Sequence, residues 1–139
     1  MMIARMERSD EKGHGEMEAS ALIIARPGPL RDGLQALVDT MPLIRALNVL
    51  NDVSSALGGE TGGSPALVLL DADLSNDRVW LTVRRVKRKW PRARTIILAG
   101  SVEQQAEAEV AGADVVLLEG FPAGKLVAAI VKLLPQPVL

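Results

Sequence analysis

The carboxylate of Asp71 is the group in this chain that is best placed to do chemistry. It follows the apolar run 65–70, and a buried parallel strand of that composition would carry the carboxylate to the rim of a sheet. Asp73 lies two residues further on and could add a second carboxylate. Magnesium prefers an octahedral shell of oxygen ligands that usually includes carboxylates. We therefore expect no cofactor, and magnesium only if Asp73 helps to build such a site.

Other catalytic chemistries lack the residues that they need. The chain has no Cys and a single His, His14, so thiol catalysis, disulfides and Cys/His zinc sites are excluded. Ser20, Thr95 and Ser101 belong to no recognisable constellation with a His or Lys base. The glycines within 58–63 lack the spacing and the Lys of a phosphate-binding loop. We predict that the protein is not an enzyme.

Composition indicates one globular domain. The chain has 139 residues, of which 48% are hydrophobic and 24% charged, with a net charge of −1. No apolar run approaches the roughly 20 residues that span a bilayer, so we expect a cytoplasmic protein without membrane contact. Residues 1–20 are polar and without period, which predicts a disordered leader. The domain should occupy 21–134, with a tail at 135–139.

Short, continuous apolar runs predict five strands that are buried on both faces. They are Ala21 to Ala25, Ile44 to Leu50, Ala66 to Leu70, Thr95 to Ala99 and Val115 to Leu118.

Amphipathic segments between these runs predict helices. The first lies between Pro29 and Pro42, and a short one after Asn51 should give way to a flexible Gly-rich loop. A stripe from Val79 to Trp90 predicts another, with Asn76 or Asp77 as its N-cap. Ser101 and Gln104 form a capping box, and the last helix should run from Pro122 to Leu134. Alternating strands and helices predict an α/β fold with a doubly wound five-stranded parallel sheet.

The order and spacing of these segments, from Ala21 to about Leu134, resemble a response-regulator receiver domain of two-component signalling. The most specific matches are the segments Pro65-Ala66-Leu67-Val68-Leu69-Leu70-Asp71 and Gly112-Ala113-Asp114-Val115-Val116-Leu117-Leu118. The resemblance implies a flavodoxin-like three-layer sandwich and places the family's phosphoacceptor at Asp71.

The other functional positions of that family are substituted here. Its pair of metal-binding acids falls on Ala25 and Arg26, its phosphoryl-binding hydroxyl on Ala99, its switch aromatic on Val116 and its lysine on Glu119. The resemblance therefore implies a degenerate receiver, or pseudo-receiver, since phosphoryl transfer depends on cations that neutralise the equatorial oxygens.

The substitutions also exchange charges between strand ends. Arg26 could pair with Asp71 or Glu119 and place a guanidinium where the family holds its metal. In the alternative, Arg26 points to solvent ahead of Pro27. The basic run Arg84 to Lys89 is interpreted as the solvated side of an amphipathic helix, so we expect no direct binding of nucleic acid.

Three functions remain open from the sequence. The first is a signalling module that acts by protein contact, independently of phosphorylation, with a partner or a second copy docking on the helix Ser101 to Ala111, the last strand and the helix Pro122 to Leu134. Glu103, Glu107 and Glu109 would then face Lys125 and Lys132 across a two-fold dimer. The second is a receiver still phosphorylated at Asp71 that controls a partner or a separate output domain, of which a transcriptional domain is one kind. The third is a small α/β domain that binds an organic ligand at the carboxyl edge of the sheet, which needs a larger pocket than a receiver normally leaves; the Gly-rich loop after Asp52 is the feature that favours it.

Overall fold

A computed structural model describes residues 19–59, 63–75 and 78–134 of the chain. A parallel sheet of five strands, in the order β2-β1-β3-β4-β5, forms the centre of these residues. The strands are β1 (Ala19–Ile24), β2 (Ile44–Leu50), β3 (Leu67–Asp71), β4 (Arg94–Ala99) and β5 (Val115–Leu118).

Helices connect the strands and cover both faces of the sheet. They are α1 (Pro29–Asp39), α2 (Val53–Leu57), α3 (Val79–Lys89), α4 (Val102–Val110) and α5 (Ala123–Leu133), with a 3₁₀ turn at Ala72–Leu74. None of the helices in the described residues is long and apolar enough to cross a membrane.

The alternation of β3 shows how the two faces are divided. Leu67 and Leu69 pack in the cluster that contains the buried residues of α1 and α5. Val68 and Leu70 pack instead with the buried residues of α2, α3 and α4. Because side chains alternate along a strand, Asp71 lies on the same face as Leu67 and Leu69, toward α1 and α5. The predicted doubly wound, three-layer fold is confirmed.

The predicted strands and helices all form, with differences at their ends. Ala19 and Ser20 belong to β1, so the leader as predicted is wrong by those two residues, because their backbones join the sheet beside β2. β1 ends at Ile24, although the Ala25 N–H still donates to the Leu50 carbonyl oxygen at 3.1 Å. The remainder of the leader, the tail at 135–139, part of the Gly-rich loop and the proposed caps Asn76 and Asp77 lie outside the described residues.

The N-terminus of α3 is capped by a side chain from another helix. Arg78 precedes the helix and provides no side-chain cap. Glu107 of α4 accepts hydrogen bonds from Arg78 Nη2 at 3.1 Å and from the Trp80 backbone N–H at 3.4 Å. These bonds, above all the one from the Arg78 side chain, hold the pKa of Glu107 below its usual value. The prediction that Glu107 faces a dimer partner is wrong, because its carboxylate is turned toward α3.

Asp114 fixes the start of β5 against the start of β4. Its Oδ2 accepts from the Thr95 N–H at 2.8 Å and from Thr95 Oγ1 at 3.2 Å, while Oδ1 accepts from Arg94 Nη1 at 3.2 Å. The Asp114 N–H donates in return to Thr95 Oγ1 at 3.1 Å. Thr95 is fully buried, so these bonds satisfy polar groups that water cannot reach.

Candidate functional site

Asp71 ends β3 and begins the 3₁₀ turn that follows. Its Oδ1 accepts a hydrogen bond from the Asp73 backbone N–H at 3.0 Å, which caps the turn. An aspartate favours this position because its short side chain can reach the backbone two residues on. The carboxylate therefore sits at the carboxyl edge of the sheet, where the sequence predicted it.

Partial burial raises the pKa of Asp71 above its ordinary value of 3.8. The hydrogen bond from the Asp73 backbone lowers the pKa of Asp71, whereas the negative charge of the Asp73 side chain raises it. Smaller effects come from Arg26, which lowers the pKa, and Glu119, which raises it. The site thus holds a carboxylate whose negative charge is only partly compensated.

A second carboxylate, that of Asp73, is held by Gln104. Gln104 Nε2 donates to Asp73 Oδ1 at 3.1 Å, and Gln104 Oε1 accepts from the Gly100 N–H at 2.6 Å. Ser101 Oγ accepts from the Gln104 N–H at 3.1 Å, so the predicted N-cap is confirmed. The reciprocal half of the capping box differs, because the Gln104 side chain bonds Gly100, one residue before the cap.

Gly100 allows three side chains to converge at this edge. A Cβ on Gly100 would lie 3.4 Å from Glu119 Oε1, 3.4 Å from Gln104 Oε1 and 3.5 Å from Asp73 Oδ1. The glycine therefore leaves room for side-chain oxygens from β3, α4 and the end of β5 to approach one another. Asp71, Asp73 and Glu119 give this edge its negative charge.

The residues present do not fit the magnesium that the receiver resemblance implies. Ala25 and Arg26 offer no side-chain oxygen at the end of β1, and Asp73 is already bonded to Gln104. Within the described ranges, no group of three or more Asp, Glu or His side chains is arranged to hold a metal ion. The weak possibility that Asp73 rebuilds the metal site therefore gains no support.

Arg26 does not form the ion pair that was considered for it. Its side chain is exposed, and no ion pair within 4.0 Å joins it to Asp71 or Glu119 in the described structure. Its charge acts on Asp71 only at longer range, as one of the smaller effects on the pKa of that carboxyl. The solvent-facing alternative describes Arg26 correctly.

A different arginine, Arg31 of α1, reaches the ends of β1 and β2. Its Nη1 donates to the Ala25 carbonyl oxygen at 3.3 Å and also to Asn51 Oδ1. Sequence reasoning missed this residue, although a long cation in the first turn of the helix after β1 is close to that strand end. Arg31 therefore bonds two oxygens at the ends of β1 and β2, one of which is the carbonyl oxygen of Ala25.

The three other positions that the receiver resemblance singles out are Ala99 at the end of β4, Val116 within β5 and Glu119 directly after β5. Ala99 is buried, and its carbonyl oxygen accepts from the Glu119 N–H at 2.7 Å. Val116 is half-buried and packs with the cluster beneath α3 and α4. Glu119 is exposed. The sheet therefore brings Asp71, Ala99 and Glu119 together, whereas Val116 lies on the opposite face from Asp71.

A cavity of about 580 Å³ opens beside Asp71, between α1 and α5. Its walls are mostly apolar, and Asp71, Asp73 and Glu119 lie at the sheet edge of it. A smaller cavity of about 170 Å³ lies near Gly63 and Ser64 at the opposite edge of the sheet. The larger cavity thus lies at the carboxyl edge of the sheet, where the third function would place an organic ligand, although the described part of the Gly-rich loop does not line it.

No protein-family model matches the chain, and no curated protein sequence matches it. Solved structures do. A LuxR-family two-component response regulator from an Aurantimonas species superposes with a TM-score of 0.71 at 22% identity, covering 84% of this chain and 85% of that one. A CheY-like response regulator receiver domain protein from Methanospirillum hungatei superposes with a TM-score of 0.71 at 16% identity, and the match covers 83% of this chain and 92% of that one.

A third structure, a LuxR-family DNA-binding response regulator from Silicibacter pomeroyi, gives a TM-score of 0.70 at 24% identity and covers 84% of this chain and 91% of that one. These likenesses establish that the chain has the fold of a response-regulator receiver domain. The predicted flavodoxin-like architecture is confirmed by them.

Proposed function

We propose that this protein is a receiver-like signalling module that acts through protein contact and does not need phosphorylation of Asp71. The contact surface is formed by α4, β5 and α5, and its simplest partner is a second copy of the chain. The module carries out no catalysis of its own.

The first support is the chemistry around Asp71. A phosphoryl group on this side chain would sit beside two negative groups, Asp73 and Glu119, and the part of the chain that the structure describes forms no metal site to neutralise its oxygens. Arg26, the cation that affects Asp71, is exposed and does not pair with it within the described residues. Electrostatics at this edge thus disfavour phosphate.

The observation that carries the contact proposal is the distribution of exposed apolar side chains. Among the described residues, five large hydrophobic side chains are exposed, and four of them lie on α4, β5 or α5. The four are Val102, Val110, Leu118 and Val131. Val110 is 85% exposed and Val102 69%. Clustered exposure of this kind marks interaction surfaces more often than isolated apolar residues do.

The arrangement of α4 strengthens this argument. Val102, Ala106 and Val110 follow one another at intervals of four residues and are all exposed, so they form one apolar stripe along the helix. β5 is an edge strand of the sheet, which leaves α4 and α5 accessible on either side of it. Glu103 and Glu109 of α4 remain exposed and available for charge pairing with Lys125 and Lys132 of a partner copy.

Sedimentation velocity over a range of protein concentrations tests the proposal. We expect the wild type and Asp71→Asn to form a dimer with the same affinity, because the contact does not involve Asp71. Val110→Glu should abolish the dimer, since it places a charge on the most exposed side chain of the apolar stripe. Ser54→Glu is the matched control, because it adds the same charge at an exposed position of α2, away from the proposed contact surface. This variant should leave the dimer intact.

Two outcomes would contradict the proposal. A wild type that remains monomeric at every concentration would exclude the homodimer. A dimer that survives Val110→Glu but is lost in Ser54→Glu would place the contact on another face of the molecule.

A receiver that is phosphorylated at Asp71 is the alternative, and the access to this carboxylate from the cavity favours it. In that case the domain would control a partner or a separate output domain. The Silicibacter pomeroyi structure is described as a DNA-binding response regulator, so a transcriptional output is one form that this alternative takes.

A further inference from the structure

The cavity between α1 and α5 has the size of a small-molecule site. Its volume of about 580 Å³ falls within the roughly 300–1,000 Å³ typical of such sites. Leu30, Leu34 and Leu37 of α1 form one wall, and Phe121 and Leu126 form the other. These side chains give the cavity an apolar interior that would favour an apolar ligand body.

Charge is confined to one end of this cavity. Asp71, Asp73 and Glu119 contribute three carboxylates where β3 and β5 end. Of the described residues that line the cavity, none is Lys, Arg or His. An anion would therefore meet repulsion without a counter-charge, whereas a cation would be attracted.

Taken together, we propose that this cavity binds a small organic cation, with an apolar body between α1 and α5 and an ammonium group against the carboxylates of Asp71, Asp73 and Glu119. The raised pKa of Asp71 is consistent with this, since a partly desolvated carboxylate gains most from a cation. This site shares α5 with the contact surface proposed above, but the exposed side chains Val102, Val110 and Val131 of that surface do not line the cavity.

Small residues along the walls keep the cavity open. Gly33 of α1 lines it, and a Cβ built on Gly33 meets no atom within 4 Å. A Leu at this position would therefore project into free space without clashing with the backbone. The substitution should also favour the helix, because Gly in a helix interior costs about 1 kcal/mol relative to Ala. Gly33→Leu is thus a blocking variant that preserves the fold.

The experiment uses three ligands that share one indole body. Tryptamine is a cation, tryptophol is neutral and indole-3-acetate is an anion. Each is titrated into the full-length, isotope-labelled protein, and backbone amide shifts are followed by NMR. We expect tryptamine to bind about tenfold or more tightly than tryptophol, with indole-3-acetate the weakest, since one desolvated charge pair contributes roughly this much. The shifts should lie in α1, at the end of β3 and from Glu119 to Leu126.

Variants separate the cavity from its charge. Gly33→Leu should abolish tryptamine binding, whereas Gly124→Leu should retain it, because Gly124 is also a helical glycine in open space but does not line the cavity. Glu119→Gln should weaken tryptamine several-fold and leave tryptophol unchanged. If the ammonium group of tryptamine bound away from Glu119, Glu119→Gln would bind tryptamine as tightly as the wild type.

Any of four results would overturn the assignment. The first is the absence of saturable shifts with tryptamine at millimolar concentration, and the second is binding of tryptophol or indole-3-acetate as tight as that of tryptamine. The third is binding of tryptamine to Gly33→Leu as tight as that to the wild type. The fourth is a shift of Leu30, Leu34 and Leu37 of α1 on dilution of the protein alone, which would place a second copy of the chain in the cavity. The first three results leave the dimer measured by sedimentation unaffected, and the fourth would move its contact from α4 to the α1 wall of the cavity, so the two proposals are tested separately.

Discussion

Asp71 keeps the position of a reactive carboxylate but lies in surroundings that suit a different task. Its Oδ1 is used to cap a 3₁₀ turn, and two further carboxylates face the same edge of the sheet. Ala25 and Ala99 offer no side-chain oxygen at this edge, and Glu119 adds a third negative charge to it. At the level of single residues, these surroundings repel an anion and favour the cation that we propose.

Replacing Asp71 by Asn should stabilise the protein at neutral pH. Because the folded-state pKa of Asp71 is raised above 3.8, the folded protein holds this proton more tightly than the unfolded chain. The free energy of unfolding therefore falls as pH rises from about 3.8 through the folded pKa, and the penalty persists above it. Asn removes the penalty, and its oxygen can still accept the bond from Asp73.

Thermal unfolding of both proteins at several pH values tests this effect. Asp71→Asn should have the higher Tm at pH 7, and the two Tm values should converge near about pH 3, where the carboxyl is largely protonated in both states. Asp32→Asn serves as the control, because Asp32 is exposed in the first turn of α1, where a negative charge is favourable. A lower Tm for Asp71→Asn at neutral pH would mean that its charge is stabilising.

At the scale of elements, side chains from one helix or strand complete the ends of another. Glu107 of α4 caps α3, Gln104 of α4 holds Asp73, and Asp114 joins the starts of β4 and β5. These contacts are made between residues that are about 20 to 31 positions apart in sequence. α3 shows the consequence most clearly, since the helix has no side-chain cap at Arg78 and depends on α4 for one.

Asp114→Ala should destabilise the protein by about 1–3 kcal/mol, the cost of leaving a buried polar group without its partner. The Thr95 N–H and hydroxyl would both lose their acceptor. Chemical denaturation of the variant measures this loss. Glu109→Ala removes an exposed carboxylate from α4 and should change the stability by less than about 0.5 kcal/mol. If Asp114→Ala proved as stable as Glu109→Ala, the hydrogen bonds between Asp114 and Thr95 would not contribute to the stability of the fold.

Sequence patterns predict the elements well because the signals are local. Continuous apolar runs mark strands buried on both faces, and β2 and β5 match their predicted bounds. The side-chain contacts between elements were not predictable in the same way. Glu107 was assigned to a dimer face with Glu103 and Glu109, but the start of α3 packs beside it and Arg78 pairs with its carboxylate, a contact between elements that local sequence does not reveal. The two arginines after β1 show the same difficulty. The path of the chain after β1 leaves Arg26 exposed and brings the guanidinium of Arg31 to the strand ends, and the local sequence does not specify that path.

At the scale of the whole molecule, the fold places an exposed surface and a cavity around the same sheet. The surface of α4, β5 and α5 exposes apolar side chains to solvent, whereas the cavity between α1 and α5 encloses apolar side chains beside three carboxylates. The cavity could not be predicted from the sequence, because it arises from the separation of two helices that are about 90 residues apart. Gly33 of α1 and Ala123 of α5 both line it and contribute little side-chain volume.

Intact mass spectrometry after incubation with acetyl phosphate and magnesium tests most directly whether this scaffold works without phosphorylation. A conventional receiver domain in the same reaction shows that the conditions permit labelling, and Asp71→Asn identifies any adduct at that residue. We predict that the conventional receiver is labelled and that this protein is not, because the carboxylates around Asp71 repel a phosphoryl group and hold no metal site. A phosphate adduct on the wild type that is absent from Asp71→Asn would contradict the account and favour a phosphorylated receiver.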